Sequence, residues 1–370
     1  MRFRFLIFGL FFMILIPASA QQKDCWRIFR GDVKLQGVSP SKLPEKSRLL
    51  WSCQTGGGIK AAPVVCDGKI VIGSVNGSLY ALSMKGELIW EFKTGNSIEA
   101  PALIVNGIVY IGNLDGILYA LDLKSGKERW QYKTDNQIMG SSNYWTVGGK
   151  LYILVGSYDY YLHCVEASSG KMVWKYESDN FINGAAAISD GSAVFGGCDG
   201  FLHVVDLKSG ELKSKIDVAN YVASSATIDK HYAYVGDYDG RFTCVNLKEE
   251  KIVWQYEDEK VHLPFIASPS LYRNFLVIGN RDRNLYCFNK TTGELIWKFN
   301  TGSRIDASTI IVDEKIVVAN MRGDFLVLGL NDAKLLWSYE LGSPLSGNPA
   351  VVDEKIIVGA EDGRVYCFGN

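Results

Sequence analysis

Four histidines, eight cysteines and the run Gly56-Gly57-Gly58 are the residues of this chain from which catalytic or ligand chemistry would have to be built. The histidines, His163, His203, His231 and His262, lack the close spacing that sets imidazoles around a metal. No G-x-S-x-G raises a nucleophilic serine, and no glycine loop precedes a helix to cradle a phosphate. No catalytic residue, cofactor or metal is therefore expected. The glycine run joins an outer strand to the next inner one and reads as a connector. No two cysteines are adjacent. Cys164, Cys244, Cys287 and Cys367 fall where other repeats carry Ala81, Ala120, Val204 and Val327, a place for a small buried side chain, which a free thiol can be. Cys25 and Cys53 are the candidate disulfide if the compartment is oxidising. Cys66 and Cys198 sit in turns and carry no assignment.

Whatever these groups do, a repeat must position them. Tryptophan recurs at Trp51, Trp90, Trp130, Trp174, Trp254, Trp297 and Trp337, with spacings of 39, 40, 44, 80, 43 and 40. The spacing of 80 is two periods, and the empty anchor falls at Ser214. A period near 40 with four short strands per unit marks a propeller. The unit ending at Trp130 has apolar runs at Ala102–Val105, Ile108–Gly112 and Ile117–Asp122, broken at Asn106-Gly107, Asp115-Gly116 and Lys124-Ser125-Gly126. Asn-Gly and Asp-Gly suit tight hairpins that need positive φ. No segment keeps a helical period, so the chain is expected to be all-β. Seven units carry four strands, the C-terminal segment from Pro349 to Phe368 carries three, and Arg48–Cys53 stands alone before the first. Pairing the orphan strand with the last three gives an eight-bladed β-propeller of four-stranded antiparallel blades with no open edge. The expected organisation is a leader over 1–20, an N-terminal extension over 21–46 and the propeller over 47–370.

Three units spell out a further pattern: Ala120-x-Asp122-x-x-Ser125-Gly126-x-x-x-Trp130, Cys164-x-Glu166-x-x-Ser169-Gly170-x-x-x-Trp174 and Cys287-x-Asn289-x-x-Thr292-Gly293-x-x-x-Trp297. This resembles the tryptophan-docking repeat of the PQQ-like propeller superfamily. Trp26-Arg27-Ile28-Phe29-Arg30-Gly31 resembles the W-x-x-F-R-G lead-in of exported members. The resemblance implies the fold. It lies nearest the non-enzymatic BamB family, the propeller of the outer-membrane β-barrel assembly machinery. Quinoprotein dehydrogenases of the superfamily carry a vicinal disulfide, an acidic calcium cluster and long insertions that roof the channel. Here no cysteines are adjacent and no unit exceeds the period by more than about four residues. A non-enzymatic scaffold is expected; the alternatives are a PQQ-dependent dehydrogenase-like quinoprotein and an extracellular glycan-binding module.

Register also assigns side chains to the face through which propellers bind. The innermost strands begin at Lys60, Glu99, Met139, Asn183, Val222, Ile266, Asp306 and Ser346. The turns between second and third strands add Tyr158, Tyr160, Tyr238, Arg281, Arg283, Met321 and Arg322. Tyr, Arg and Met are enriched at protein interfaces. Lys60, Glu99, Tyr158, Tyr238, Arg281, Arg283, Asp306 and Arg322 are the candidate partner-binding residues. His163 and His203 occupy the slot of Tyr80, Tyr119, Tyr286 and Tyr366 and are expected to pack rather than react.

Arg2 and Arg4, the apolar run Leu6–Ile16 and Ala18-Ser19-Ala20 compose a secretory signal peptide cleaved near Ala20. The apolar run is too short to span a bilayer, and no later segment is long enough. Gln22-Lys23-Asp24 before Cys25 is no lipobox. Export to the periplasm or cell surface is expected, with protein partners in the cell envelope. With 39 Lys and Arg against 40 Asp and Glu, the chain offers no concentrated basic surface for nucleic acid.

Overall fold

The structure, a computed structural model, describes residues 25–44, 46–218 and 220–370. The leader expected over 1–20 lies outside them. Short β-branched runs between Gly, Asn and Asp turns form strands, because such side chains pack well on a pleated surface. The strands assemble into eight antiparallel blades. Blade 1 has strands A to D, from the axis outward, at Val64–Cys66, Lys69–Gly73, Ser78–Ser83 and Leu88–Lys93. The A strands of blades 2 to 8 are Leu103–Val105, Asn143–Val147, Ala187–Ser189, Thr227–Asp229, Ser270–Tyr272, Ile310–Val312 and Ala350–Val352. Among the described residues no helix is long and apolar enough to cross a membrane.

Ring closure is the strand pairing that the sequence implies. Arg48–Gln54 is the D strand of blade 8 and runs antiparallel to Arg364–Gly369, with Trp51 opposite Cys367 and Cys53 opposite Val365. In every blade the ladder between C and D strands shifts register just before the anchor position. Such bulges twist an outer edge and blunt it against pairing with another chain.

Six of the seven anchoring indoles lock their blade to the next by a hydrogen bond. Nε1 of Trp51, Trp90, Trp130, Trp174, Trp254 and Trp297 donates to the carbonyl of Met84, Leu123, Ala167, Leu207, Lys290 and Leu330 at 2.9–3.0 Å. The ring also lies flat on the following C–D turn. A Cβ on Gly126 would come within 2.7 Å of the Trp90 ring, so the turn needs glycine for the close approach as well as for its φ of +70°. Cys164, Cys244, Cys287 and Cys367 are buried free thiols, and burial pushes each up to about 12.

The N-terminal segment passes across the axis on the side of the A–B turns and meets the blades in chain order. Carbonyls of Trp26, Arg27, Val33, Lys34, Gln36 and Gly37 accept from the A-strand amides of Val65, Ile104, Ile188, Ile228, Leu271 and Ile311 at 2.8–3.0 Å. Blade 3 contributes Asn143 Nδ2, which donates to Val33 O at 2.9 Å, and the Ser39 hydroxyl donates to Val351 O of blade 8 at 2.7 Å. Val38–Ser39 adds a fifth, parallel strand to blade 7. The buried Arg30 guanidinium donates to the carbonyls of Thr309 and Pro269 and to the Ser270 hydroxyl, joining blades 6 and 7. A disulfide joins Cys25 to Cys66. This corrects the expected Cys25–Cys53 bridge: the segment enters along the A strand of blade 1, where Cys66 lies, whereas Cys53 sits on the outermost strand of blade 8 and is a free thiol.

Removing residues 47–55 exposes the Arg364–Gly369 edge and should convert the protein from a monomer to aggregates in size-exclusion chromatography. A truncated chain that stayed monomeric with an unchanged melting temperature would show that this strand does not close the ring.

Candidate functional site

The two ends of the ring differ in kind. On the A–B side the N-terminal segment closes the axis. On the opposite side, which carries the D–A connectors and B–C turns, a funnel of about 180 Å3 opens to solvent with Phe29 among its lining residues. Its wall is a hydrogen-bonded relay between blades. The amides of Ala185, Ser225, Ser268 and Ser308 donate at 2.7–3.0 Å to the side-chain oxygens of Ser225, Ser268, Ser308 and Asn348, each on the following blade.

The rim residues Lys60, Met139, Asn183, Ile266 and Asp306 line this funnel, and Glu99 stands beside it, paired with Lys60. Val222 does not. It is fully buried in the place that Ile98, Ile138 and Ile182 take in other blades, and Ala223 is the rim residue of blade 5. Every B–C turn is tied to the preceding D–A connector by one backbone bond. Examples are Tyr158 N to Gln137 O at 2.9 Å, Tyr238 N to Tyr221 O at 3.0 Å and Arg281 N to Pro264 O at 3.2 Å. These bonds hold the turn side chains beside the rim.

On blades 3 to 7 those side chains join into a continuous arc. Tyr158 stacks on Phe181 with ring centres 4.6 Å apart, and Tyr160 leans on the same ring at 5.2 Å. The Tyr158 hydroxyl donates to Asn183 Oδ1, and Asn183 Nδ2 donates to the Tyr221 hydroxyl at 2.7 Å. Tyr221 meets Tyr238 edge-on at 4.8 Å. Arg281 then grips Asp306 with two bonds of 3.0 and 3.1 Å, and Arg304 adds a third contact at 3.7 Å. The bond to Asp306 holds the Arg281 guanidinium above its ordinary range. Burial pushes the Tyr158 and Tyr221 hydroxyls up, so both stay neutral, one donating to Asn183 and the other accepting from it. Val261 and Leu263 are exposed in the blade 5–6 connector, to which Arg281 N is tied at Pro264 O.

The candidate residues thus divide. Tyr158, Tyr238, Arg281 and Asp306 belong to the arc. Lys60 and Glu99 pair with each other at 3.1 Å on blades 1 and 2, and Arg322 pairs with the buried Asp324 at 2.7 Å. Phe181, Tyr221 and Leu263 were not among the candidates. The first two stand between a recurrent Asn and a buried β-branched residue, at Asn180-Phe181-Ile182 and Asn220-Tyr221-Val222, where blade 1 has Asn96-Ser97-Ile98.

Two turns depart from the rule of the others. In blades 1, 2, 4, 5, 7 and 8 the B–C turn places Gly77, Gly116, Gly200, Gly240, Gly323 and Gly363 at φ between +75° and +93°. Blades 3 and 6 place Tyr160 and Arg283 there, both at φ +75° and both exposed. A bulky side chain in the left-handed region costs about 1–2 kcal/mol.

His163 and His203 are buried at turn anchors. His163 Nε2 faces Asp159 at 3.0 Å and Nδ1 the Tyr132 hydroxyl at 2.9 Å; His203 repeats this with Asp199 at 2.9 Å and Tyr176 at 3.0 Å. In blades 6 and 8 the Tyr286 and Tyr366 hydroxyls donate to Asp282 and Asp362 from the same slot, each at 2.5 Å. Burial works to raise the Asp159 and Asp199 carboxyls, but bonding to the histidines outweighs it and holds both below the ordinary range. Among the described residues one donor group is compact enough for a metal, Cys25, Cys66 and Asp67, and its two sulfurs are joined to each other.

A ring of eight four-stranded blades, locked by docked tryptophans and closed by its own N-terminal strand, is a propeller of the PQQ-like repeat class. The sequence profile of the family described as outer membrane protein assembly factor BamB matches residues 43–150, 142–262, 182–299 and 281–369, and the chain belongs to that family. No curated protein matches it. Among solved structures, BamB from Moraxella catarrhalis is 18% identical, with 88% of this chain and 98% of that one covered and a TM-score of 0.74. The quinohemoprotein alcohol dehydrogenase from Comamonas testosteroni is 13% identical over 95% and 81% of the two chains, with a TM-score of 0.78. A europium-containing methanol dehydrogenase is 12% identical over 94% and 98%, with a TM-score of 0.77. Likeness at these identities concerns the fold, which BamB and the dehydrogenases share, so the site must decide between scaffold and enzyme.

One anchor beneath the arc is miscast for its place. Asn280 and Asn320 use Nδ2 to donate to the carbonyls of Leu263 and Thr301 at 2.8 and 3.0 Å. Blade 5 has Asp237 at this position. Its Oδ1 accepts from the amides of Asp239 and Arg241, while its buried Oδ2 has no partner among the described residues. Burial raises the Asp237 carboxyl, so ionisation is disfavoured in the folded chain and costs stability above the ordinary aspartate range. Asp237→Asn should therefore stabilise the protein. In denaturant titrations its advantage over wild type should be small near pH 3, grow as pH rises through about 4, where unfolded aspartate ionises, and level off above the raised folded-state value. An advantage that shrank with rising pH would reverse the assignment.

Proposed function

We propose that this chain is an exported, non-enzymatic scaffold of the cell envelope, which binds a protein partner through the arc on blades 3 to 7 and serves outer-membrane protein assembly. The observation that carries the reading is the pair of exposed left-handed residues, Tyr160 and Arg283, where six other blades keep glycine. A hairpin gains nothing from this exchange, and backbone strain of this kind gathers at binding sites. Tyr and Arg are also the side chains most often found as binding hot spots. Membership of the BamB family supports the assembly role. The Cys25–Cys66 bridge suits an oxidising compartment outside the cytoplasm. Against the quinoprotein reading, the sequence supplies no adjacent cysteine pair and no insertion long enough to roof the funnel.

Tyr160→Gly combined with Arg283→Gly should leave stability unchanged or raise it by up to about 1 kcal/mol, because relief of left-handed strain slightly exceeds the flexibility that glycine adds to the unfolded chain. The same variant should weaken capture of barrel-assembly components from envelope extracts about tenfold or more, roughly 1.4 kcal/mol. Lys124→Ala with Lys208→Ala, in C–D turns on the other face, should do neither. Capture lost with the lysine pair and kept with the glycine pair would move the interface to the opposite face. Retention of no assembly component by wild type would remove the assembly role.

A further inference from the structure

Blade 4 has no indole at the anchor position. Ser214 stands there, and the space that a ring fills elsewhere is open as a cavity of about 260 Å3 between blades 4 and 5. Val194, Val204 and Leu247 supply apolar lining, and three lysines, Lys213, Lys230 and Lys248, stand with two carboxylates, Asp190 and Glu250, among its lining residues. The volume exceeds that of an engineered cavity of about 150 Å3 that binds benzene.

Two features indicate what fits. The first is the carbonyl. In six blades the indole Nε1 donates to the carbonyl that opens the next C–D turn, at 2.9–3.0 Å. The corresponding carbonyl at the 4–5 seam is that of Leu247, and no group among the described residues donates to it. The second is charge. Lys213 is engaged by Asp206 at 2.8 Å, whereas the ammonium groups of Lys230 and Lys248 make no ion pair among the described residues. The C–D turn of blade 5 carries Glu250 at φ +55° where five other turns have glycine, yet a Cβ there does not bar an aromatic ring. Ala333 holds the same place at φ +54° under Trp297, whose Nε1 still reaches Leu330 O at 3.0 Å. Clefts at the 2–3 and 5–6 seams lie beside filled anchors, where Trp130 and Trp254 already occupy the carbonyls of Ala167 and Lys290.

We propose that the 4–5 seam binds a planar aromatic ring that bears an N–H donor and an anionic group. The ring lies between the blades as an indole does at the other seams, its N–H donates to Leu247 O, and its anion meets Lys230 and Lys248. An indole carboxylate and a tryptophan side chain on an acidic segment of a protein share this chemistry. The cavity is lined by residues of the A–B and C–D side, away from the arc, so this proposal and the scaffold reading fail independently.

Isothermal titration of the whole chain with indole-3-acetate tests it. Binding is expected, and Ser214→Trp, which refills the anchor with the chain's own indole, should weaken it at least about tenfold, about 1.4 kcal/mol. Naphthalene-1-acetate, of similar shape but without the N–H, should bind about threefold or more weaker, the share of one hydrogen bond. Lys230→Glu with Lys248→Glu, both exposed and tolerant of exchange, should weaken indole-3-acetate and leave neutral indole unchanged. An acidic peptide with one internal tryptophan identifies the source: tighter binding than the free acid assigns the site to a protein segment, weaker binding to a small molecule. No binding of indole-3-acetate at millimolar concentrations, or equal binding by wild type, the Ser214→Trp variant and the lysine-reversal variant, overturns the proposal.

Discussion

Every part of this molecule depends on the ring closing. A single four-stranded blade has two edges and two apolar faces, and it can bury the faces only against blades like itself. The circle satisfies all eight at once, and only if the angle per blade is held. The docked indole holds it, with a ring flat on the next turn and one hydrogen bond to that turn's carbonyl. The relay of serine hydroxyls around the funnel does the same near the axis. The inner edges remain, and there the N-terminal segment accepts amides from six A strands that would otherwise face an empty centre.

Closure of one end also fixes the asymmetry of the whole. The A–B side is sealed by the chain itself, with a disulfide at its start and a buried arginine across blades 6 and 7. The other end is left open, and there the sequence departs from the repeat. Glycine gives way to Tyr160 and Arg283, and the blade 5–6 connector carries exposed Val261 and Leu263. Repetition stabilises the body, and the exceptions to repetition mark where it meets something else.

How much of this could be read from residues alone follows from what repeats. The tryptophan period, the vacancy at Ser214 and the orphan strand before Trp51 specify blade number and closure, because each concerns an interaction made many times. The arc was legible in part: Tyr158, Tyr238, Arg281 and Asp306 come together, but nothing local says that Arg281 reaches across to Asp306 on the next blade. Val222 shows how one residue of register separates a rim position from a buried one, since Ala223 beside it faces the funnel. The disulfide lay furthest from view. Its partner depends on the path of a segment with no repeat of its own, and that path brings Cys25 to the axis rather than to the outer strand that holds Cys53.

The pairing of Arg48–Gln54 with Arg364–Gly369 also sets a schedule. A chain emerging from its N-terminus presents the closing strand first and the blade it must complete last, so for most of its synthesis that strand has no partner. Early blades can form and stack, but the last seam waits for Arg364–Gly369. A chain stalled anywhere before them holds an open arc rather than a slightly smaller circle, and an open arc is a substrate for proteases and chaperones. Closure is thereby written into the geometry: only a chain that holds both strands loses both open edges of the ring.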